Sequence, residues 1–388
     1  MSLYTNMQKL LETNESQGLL RKIVAKDQKQ SKIYVDNHQF VNLSSNDYLG
    51  LGQDLALAKE FFSTLDELSI RMSSSGSPLL TGAHISYDRA KECIETLFNK
   101  SALFFNSGFG ANSGVIAALG TKENLIIADK LSHASMIDGM TASKGKCLRF
   151  AHNDYDHLQR LIENNKDEYD SIIVVTEAIF SMDGDKCDLQ KLVDIKQKYE
   201  NVYLYVDEAH SFSLYSDNGA GLCVAQGLSD KIDFIVVTFG KGLGSQGACV
   251  LCNQIARDYL INTTRSLIFS TALSPFSFEH VFFMINYMQK RNDLRDRLHK
   301  ISSYIHESII CSGFDNVSSS QIIPLLTYDN DKAIQACEFF KSKGFYAMPI
   351  RHPTVPLGKA RLRLSLTASL SDNEVESLAN TIKEFSKK

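Results

Sequence analysis

The sequence predicts an α/β fold with a mostly parallel central sheet and a smaller second domain, and three observations point there. Apolar, β-branched runs such as 233–238 and 202–206 read as buried strands and stop abruptly at glycine-rich or acidic turns. At 102–119 a strand, a glycine turn and a helical run follow one another directly. A chain of 388 residues is also long for a single core.

Composition removes several function classes. Hydrophobic residues make up 44% and charged residues 22%, as in a soluble globular protein. Net charge is −4 with scattered basic residues, so no polyanion-binding face is expected and nucleic acid is not a partner. The first 17 residues lack an apolar core behind a basic start. Phe276 to Met288 is interrupted by Glu279 and His280 and is too short to span a bilayer. A cytoplasmic location is expected. Eight scattered cysteines suit reduced thiols, and Cys249-Val250-Leu251-Cys252 lies in an apolar strand-like run with no second pair. The histidines show no HxxxH or HExxH spacing, so no metal is expected.

In chain order, residues 1 to about 30 read as an amphipathic helical arm on Leu3, Met7, Leu10 and Leu11, then Leu19, Leu20 and Ile23. Ile33–Val35 and Phe40–Leu43 flank Asp36-Asn37 and predict a hairpin. Ser73 to Gly82 is a loop rich in serine. Ala102–Asn106 is a strand, and Ser107-Gly108-Phe109-Gly110-Ala111-Asn112 opens a helix whose free N–H groups and dipole would cradle a phosphate. It lacks the longer dinucleotide fingerprint. His133 stands where a helix opens, and by itself is a capping or surface residue as readily as a catalyst. The strand 171–176 leads to Ser181, which taken alone is a turn hydroxyl ahead of Asp183-Gly184. Helical patterns are expected from Phe276 to about Cys311, at 332–342 and at 372–385, with strands at 322–326 and 346–350. Arg361 and Arg363 alternate along a strand and share one face.

Chemistry concentrates at Lys241, set between Gly240 and Gly242 at a strand end. A phosphate-binding P-loop is excluded, because Ile235 stands where the first glycine belongs and Gly242 follows the lysine. The alternative is a lysine that forms a Schiff base with an aldehyde cofactor and needs a carboxylate for the pyridinium nitrogen. Asp207-Glu208-Ala209-His210, just past another strand, supplies an acid and a histidine at the crevice where parallel sheets bind ligands. Singly, Asp207 would serve as a cap and His210 as an exposed histidine. With Lys241 and a phosphate cradle they make a pyridoxal phosphate site.

These pieces, with Ser-Ser-Asn-Asp-Tyr-Leu-Gly at 44–50, Arg-His-Pro-Thr-Val-Pro at 351–356 and Ala-Arg-Leu-Arg-Leu at 360–364, resemble the α-oxoamine synthases. Those enzymes join an amino acid to an acyl thioester with loss of carbon dioxide. The resemblance spans most of the chain and implies a fold-type I transferase: an N-terminal arm over 1–45, a large cofactor-binding domain over 46–275 and a small C-terminal α/β domain over 276–388. It implies pyridoxal 5'-phosphate held by Gly108, Phe109, His133, Ser181, Asp207, His210, Thr238 and Lys241, with Thr271 reaching the phosphate of a neighbouring subunit in a homodimer. Lys241, His133, Asp207 and His210 would be catalytic. Arg21, Asn46, His133, Arg351, Thr354 and Arg363 would contact substrate. The departures are the Ser73–Gly82 loop, which has fewer glycines than relatives have, Ser211-Phe212-Ser213 in place of glycines, and His352 in place of a proline.

Within the family the run from Arg351 to Arg363 is most similar to members that condense L-alanine with a pimeloyl thioester, on coenzyme A or acyl carrier protein, in biotin biosynthesis. The 2-amino-3-ketobutyrate ligases, 5-aminolevulinate synthases, serine palmitoyltransferases and autoinducer synthases share the cofactor residues. Outside the family, the same features would suit an aminotransferase or a non-catalytic protein that has kept the fold.

Overall fold

A computed structural model describes residues 2–67 and 69–387. The arm begins with a helix, Leu3–Ser16, capped by Ser2, whose Oγ accepts from the Thr5 N–H; none of its residues is buried. Next come β1 (Asp27–Lys29), β2 (Lys32–Val35) and β3 (His38–Asn42), an antiparallel meander. Asp36 and Asn37 turn it with φ of 50° and 62°, the paired left-handed residues of a tight hairpin.

The central sheet contains β4 (Ser101–Phe105), β5 (Asn124–Asp129), β6 (Lys146–Phe150), β7 (Ser171–Glu177), β8 (Val202–Asp207), β9 (Phe234–Thr238) and β10 (Ala248–Cys252). Its order is β4-β10-β9-β8-β7-β5-β6, and only β10 runs against its neighbours. Strands covered on both faces explain the near-continuous apolar runs. Ile172, Val174, Leu204, Val206, Ile235 and Val237 face one core, while Ile173, Val175, Tyr205 and Val236 face the other. Cys249 and Cys252 fall on opposite faces, and burial pushes both thiols up, Cys252 to about 12, so they cannot act as a pair.

The C-terminal part holds β11 (Ile322–Tyr328), β12 (Phe345–Tyr346), β13 (Met348–Ile350) and β14 (Ala360–Ser365). An antiparallel sheet is ordered β11-β14-β13, with helices Asn330–Ser342 and Asp372–Phe385 in the expected places. The strand expected over 346–350 is divided at Ala347. Its first piece, β12, pairs in parallel with β3, tying the N-terminal hairpin to the C-terminal part, and its second joins β14.

The helical stretch expected from Phe276 to Cys311 is two helices, Pro275–Met288 and Asn292–Cys311. No proline or glycine marks the break. Instead the buried Arg295 guanidinium donates to the carbonyls of Met288 and Asp217, both at 2.7 Å, capping the end of the first helix. That first helix packs on the central domain: Phe278 meets Phe104 edge-on with ring centroids 5.3 Å apart.

Candidate active site

Five strands of the central sheet deliver side chains to one place. The turns beyond the carboxyl ends of β4, β5, β7, β8 and β9 surround a cleft of about 470 Å³, where open α/β sheets bind ligands. Asn46, Gly108, Phe109, His133, Asp207, His210, Thr238 and Lys241 all line it. Glu177 does too, a residue to which neither motif nor family resemblance assigns a role.

Lys241 is presented by a turn that only glycine can close. Gly244 has φ of +68°, and a Cβ there would sit 2.6 Å from the Gly52 nitrogen. The Lys241 amine lies 2.8 Å from His210 Nε2, His210 Nδ1 lies 2.6 Å from the Tyr48 hydroxyl, and that hydroxyl donates to Asn46 Oδ1 at 3.1 Å. The Arg363 guanidinium donates to the same Asn46 oxygen at 3.2 Å. Asn46 Oδ1 can only accept, so donation runs toward it along the chain: Lys241 to Nε2, Nδ1–H to Tyr48, Tyr48 to Asn46. His210 is therefore a neutral imidazole. Burial, with the nearby cations Lys241 and Arg363, holds it well below its ordinary pKa. Desolvation also lowers the Lys241 amine against the opposing pull of Asp207, as a nucleophilic amine requires.

Asp207 and Glu177 are direct partners in the β7–β8 register and are 5% and 3% exposed. Two buried carboxyl groups side by side cannot both ionise. Asp207 receives the Asn112 amide at 2.7 Å and the Ala209 N–H at 2.8 Å, and Asn112 is itself held by Tyr205 at 2.8 Å. Glu177 has the His133 N–H, but its Oε1 has no partner among the described residues. Burial first and Asp207 second raise Glu177 well above the usual range, and the two hydrogen bonds to Asp207 make it the better-stabilised place for the negative charge.

At the other end of the cleft, helix Gly108–Leu119 starts from Ser107, whose Oγ accepts from the Gly110 N–H at 3.1 Å. The first N–H groups of a helix have no partner within it and point outward, here beside Thr238 Oγ1, which is buried without a partner. A Cβ on Gly108 would come within 2.5 Å of Thr238 Cγ2, so glycine keeps this corner open. Such a cradle fits a phosphate. His133 caps the next helix, its Nδ1 accepting from the Ser135 N–H at 3.2 Å, while the residue lines the cleft. The capping and site readings hold together.

The sequence matches the aminotransferase class I and II family over residues 38–382. It is 42% identical over 352 residues to a Pasteurella multocida protein provisionally named 8-amino-7-oxononanoate synthase, covering 90% of this chain and 91% of that one. A Glaesserella parasuis protein of the same provisional name is 42% identical over 344 residues, covering 88% and 90%. The chain belongs to the α-oxoamine synthase branch of that family. Among solved structures, the Sphingomonas wittichii serine palmitoyltransferase superposes with a TM-score of 0.92 at 25% identity, covering 100% of this chain and 98% of that one. The Francisella tularensis 8-amino-7-oxononanoate synthase gives 0.76 at 27%, covering 89% and 97%.

In this α-oxoamine synthase the remaining predicted residues lie outside the cleft. Arg363 stands behind Asn46, with Nε on the Ser181 carbonyl at 2.7 Å; Ser181 lines a second pocket, of about 510 Å³. Arg361 also borders that pocket but is ion-paired to Asp183. Arg21, Arg351 and Thr354 gather in a third pocket of about 810 Å³ between the N-terminal arm and the 351–354 loop. Arg21 reaches Thr354 Oγ1 at 3.4 Å, and Arg351 holds the Gly18 carbonyl at 2.9 Å. Thr271 is exposed, its carbonyl accepting from Asn106 at 2.6 Å, and it lines none of the cleft. Tyr48, Asn112 and Glu177 are the site residues that sequence reasoning does not find. A signal existed for Glu177, an acid ending an otherwise apolar strand at the crevice, and for Asn112, a lone amide in an apolar helix.

Proposed function

We propose that the protein is a pyridoxal 5'-phosphate-dependent acyltransferase that condenses L-alanine with a pimeloyl thioester, carried on coenzyme A or acyl carrier protein, with loss of carbon dioxide to give 8-amino-7-oxononanoate for biotin biosynthesis. What carries this reading is one cleft holding a desolvated lysine, an aspartate gripped by the Asn112 amide and the Ala209 N–H, and an anion cradle at its end. Relatives bearing that name along nine-tenths of the chain support the substrate pair.

In this reading the Gly108 and Phe109 N–H groups and Thr238 would hold the cofactor phosphate, Asp207 would hold the ring nitrogen, and His133 and His210 would contact the ring. When bound, the cofactor supplies an electron sink for the pair left on the substrate α-carbon. Lys241, its amine lowered by desolvation, would remove the α-proton as general base. Asp207, kept charged by Asn112 and the Ala209 N–H, keeps the ring nitrogen protonated. Ser181 contributes from the neighbouring wall, and Asn46, Arg363, Arg351, Thr354 and Arg21 receive substrate. Thr271 serves the partner's site in a homodimer. The domain limits at 46 and 276 and a cytoplasmic location belong to the same proposal; no helix among the described residues is long and apolar enough to cross a membrane.

A second reading, a serine palmitoyltransferase, is favoured by the closer superposition on that fold. Product analysis with alanine, glycine and serine, each against pimeloyl and palmitoyl thioesters, separates the two. Borohydride should label Lys241 in the yellow purified protein, and Lys241→Ala should lose colour, label and turnover. Turnover surviving in that variant, or a preference for serine with palmitoyl thioester, overturns the proposal.

A further inference from the structure

The pocket of about 510 Å³ shares two loops with the cleft: Ser132 precedes His133, and Phe180 follows Glu177 by three residues. We infer that this pocket receives the far end of the acyl chain, and that Lys130 and Lys359 recognise a terminal carboxylate there. The inference rests on the proposed reaction and names its specificity residues.

Phe180, Leu326 and Val355 make an apolar lining suited to methylene groups. Four cationic side chains border it, and two are already committed. Arg361, with a side chain 4% exposed, is held by Asp183. His152 has Nδ1 on Asp129 at 2.9 Å and Nε2 on Asp185 at 2.8 Å, leaving no free N–H for a ligand. Lys130 and Lys359 make no ion pair among the described residues, and both are exposed along the rim. Beside them Ser132 is 7% exposed, and its Oγ lacks any partner among the described residues.

An apolar slot with an unused hydroxyl and two uncommitted ammonium groups suits a chain that ends in an anion. A carboxylate reaching the rim gains charge-assisted hydrogen bonds from the ammonium groups, which a methyl terminus cannot make. The pocket thereby selects a dicarboxylic acyl group over a fatty one, which also separates the two readings of function.

The phosphates of a coenzyme A carrier are the other source of anionic charge, so the test distinguishes them. Pimeloyl-CoA, heptanoyl-CoA and a pimeloyl thioester of phosphate-free pantetheine are compared with alanine in the wild-type holoenzyme and in Lys130→Met, Lys359→Met and the double variant. The wild type should prefer pimeloyl-CoA to heptanoyl-CoA. The double variant should lose roughly tenfold or more of that preference, through KM, and equally with the phosphate-free thioester. A preference that survives the double substitution overturns the inference. So does a loss confined to substrates carrying phosphates, which would make the lysines carrier contacts. Equilibrium dialysis of pimelate itself reads the pocket without turnover: binding weakened by the double variant supports the assignment, and binding absent or unchanged refutes it. Should the wild type condense no pimeloyl thioester while pimelate binding responds to the lysines, the proposed reaction fails and the site stands.

Discussion

Glu177→Gln is the perturbation that tests the electrostatics of the cleft most directly. Glu177 and Asp207 face each other across β7 and β8, both buried, and Asn112 and the Ala209 N–H favour ionisation of Asp207. Glu177 is then a neutral acid in the folded protein, with its pKa raised well above the ordinary 4.5, while in the unfolded chain it ionises normally. A raised acid leaves its full contribution in place below about 4.5 and loses stability as pH climbs toward the folded value. Over that interval the unfolded state binds fewer protons than the native one. The slope is about 1.4 kcal/mol per pH unit for one proton. Glutamine matches the shape and removes the titration. Any fixed cost of placing its amide beside the vacant Oε1 position is independent of pH. Urea denaturation of cofactor-stripped wild type and Glu177→Gln from about pH 5 upward should therefore show the variant gaining on the wild type at close to that slope, flattening above the folded pKa. A stability difference that stays level across the range would mean Glu177 is ionised, and the assignment of charge to Asp207 would fall with it.

The phosphate corner is open to a second test. Gly108→Ala places a methyl 2.5 Å from Thr238 Cγ2, and overpacking of this kind costs about 1–3 kcal/mol, so if that cost falls on the phosphate corner the dissociation constant for pyridoxal phosphate should rise roughly five- to a hundredfold in an absorbance titration. An unchanged constant would remove Thr238 and Gly108 from the cradle. His152 offers a third. Burial alone would lower it, but Asp129 and Asp185 override burial and raise it to about 10. Its stabilisation is complete below the unfolded value near 6.5 and is lost as pH rises through about 10, so His152→Gln should be destabilising at neutral pH and progressively less so in alkali. A penalty unchanged between pH 7 and pH 10 would show that the imidazole is not charged in the clasp.

What the sequence discloses and what it withholds divide along a physical line. Strands such as 171–177 and 202–207 are legible because a sheet covered on both faces demands long apolar runs, and residues just past their ends are legible because ligands bind at that edge. Lys241, Asp207 and His210 are accessible by that route, and Thr238 by the family resemblance. Whatever depends on which strands are neighbours was not. Glu177 and Asp207 are 30 positions apart, and only the placing of β7 beside β8 makes them compete for one negative charge. The helix break near Met288 escapes notice for the same reason, since its cause is a guanidinium seven residues on and a carbonyl from the 217 loop.

The two arginines of β14 show the same division most sharply. Arg361 and Arg363 are one pleat apart on the same face of the strand, and their surroundings in sequence are nearly identical. Their fates differ because the loop after β7 crosses that face and brings different groups to each. Asp183 neutralises Arg361 and locks it into the wall of the pocket of about 510 Å³, whereas the Ser181 carbonyl takes only the Nε of Arg363 and leaves its terminal nitrogens on Asn46 at 3.2 Å and Ser365 at 2.7 Å. Arg363 thus keeps its charge unpaired by any carboxylate among the described residues, one amide away from the Lys241 cleft. Arg361 is already spent on Asp183 and Arg363 is held one amide away from the cleft, so which of the two arginines keeps a charge free of carboxylates is decided by where Asp183 stands and not by the strand that bears them both.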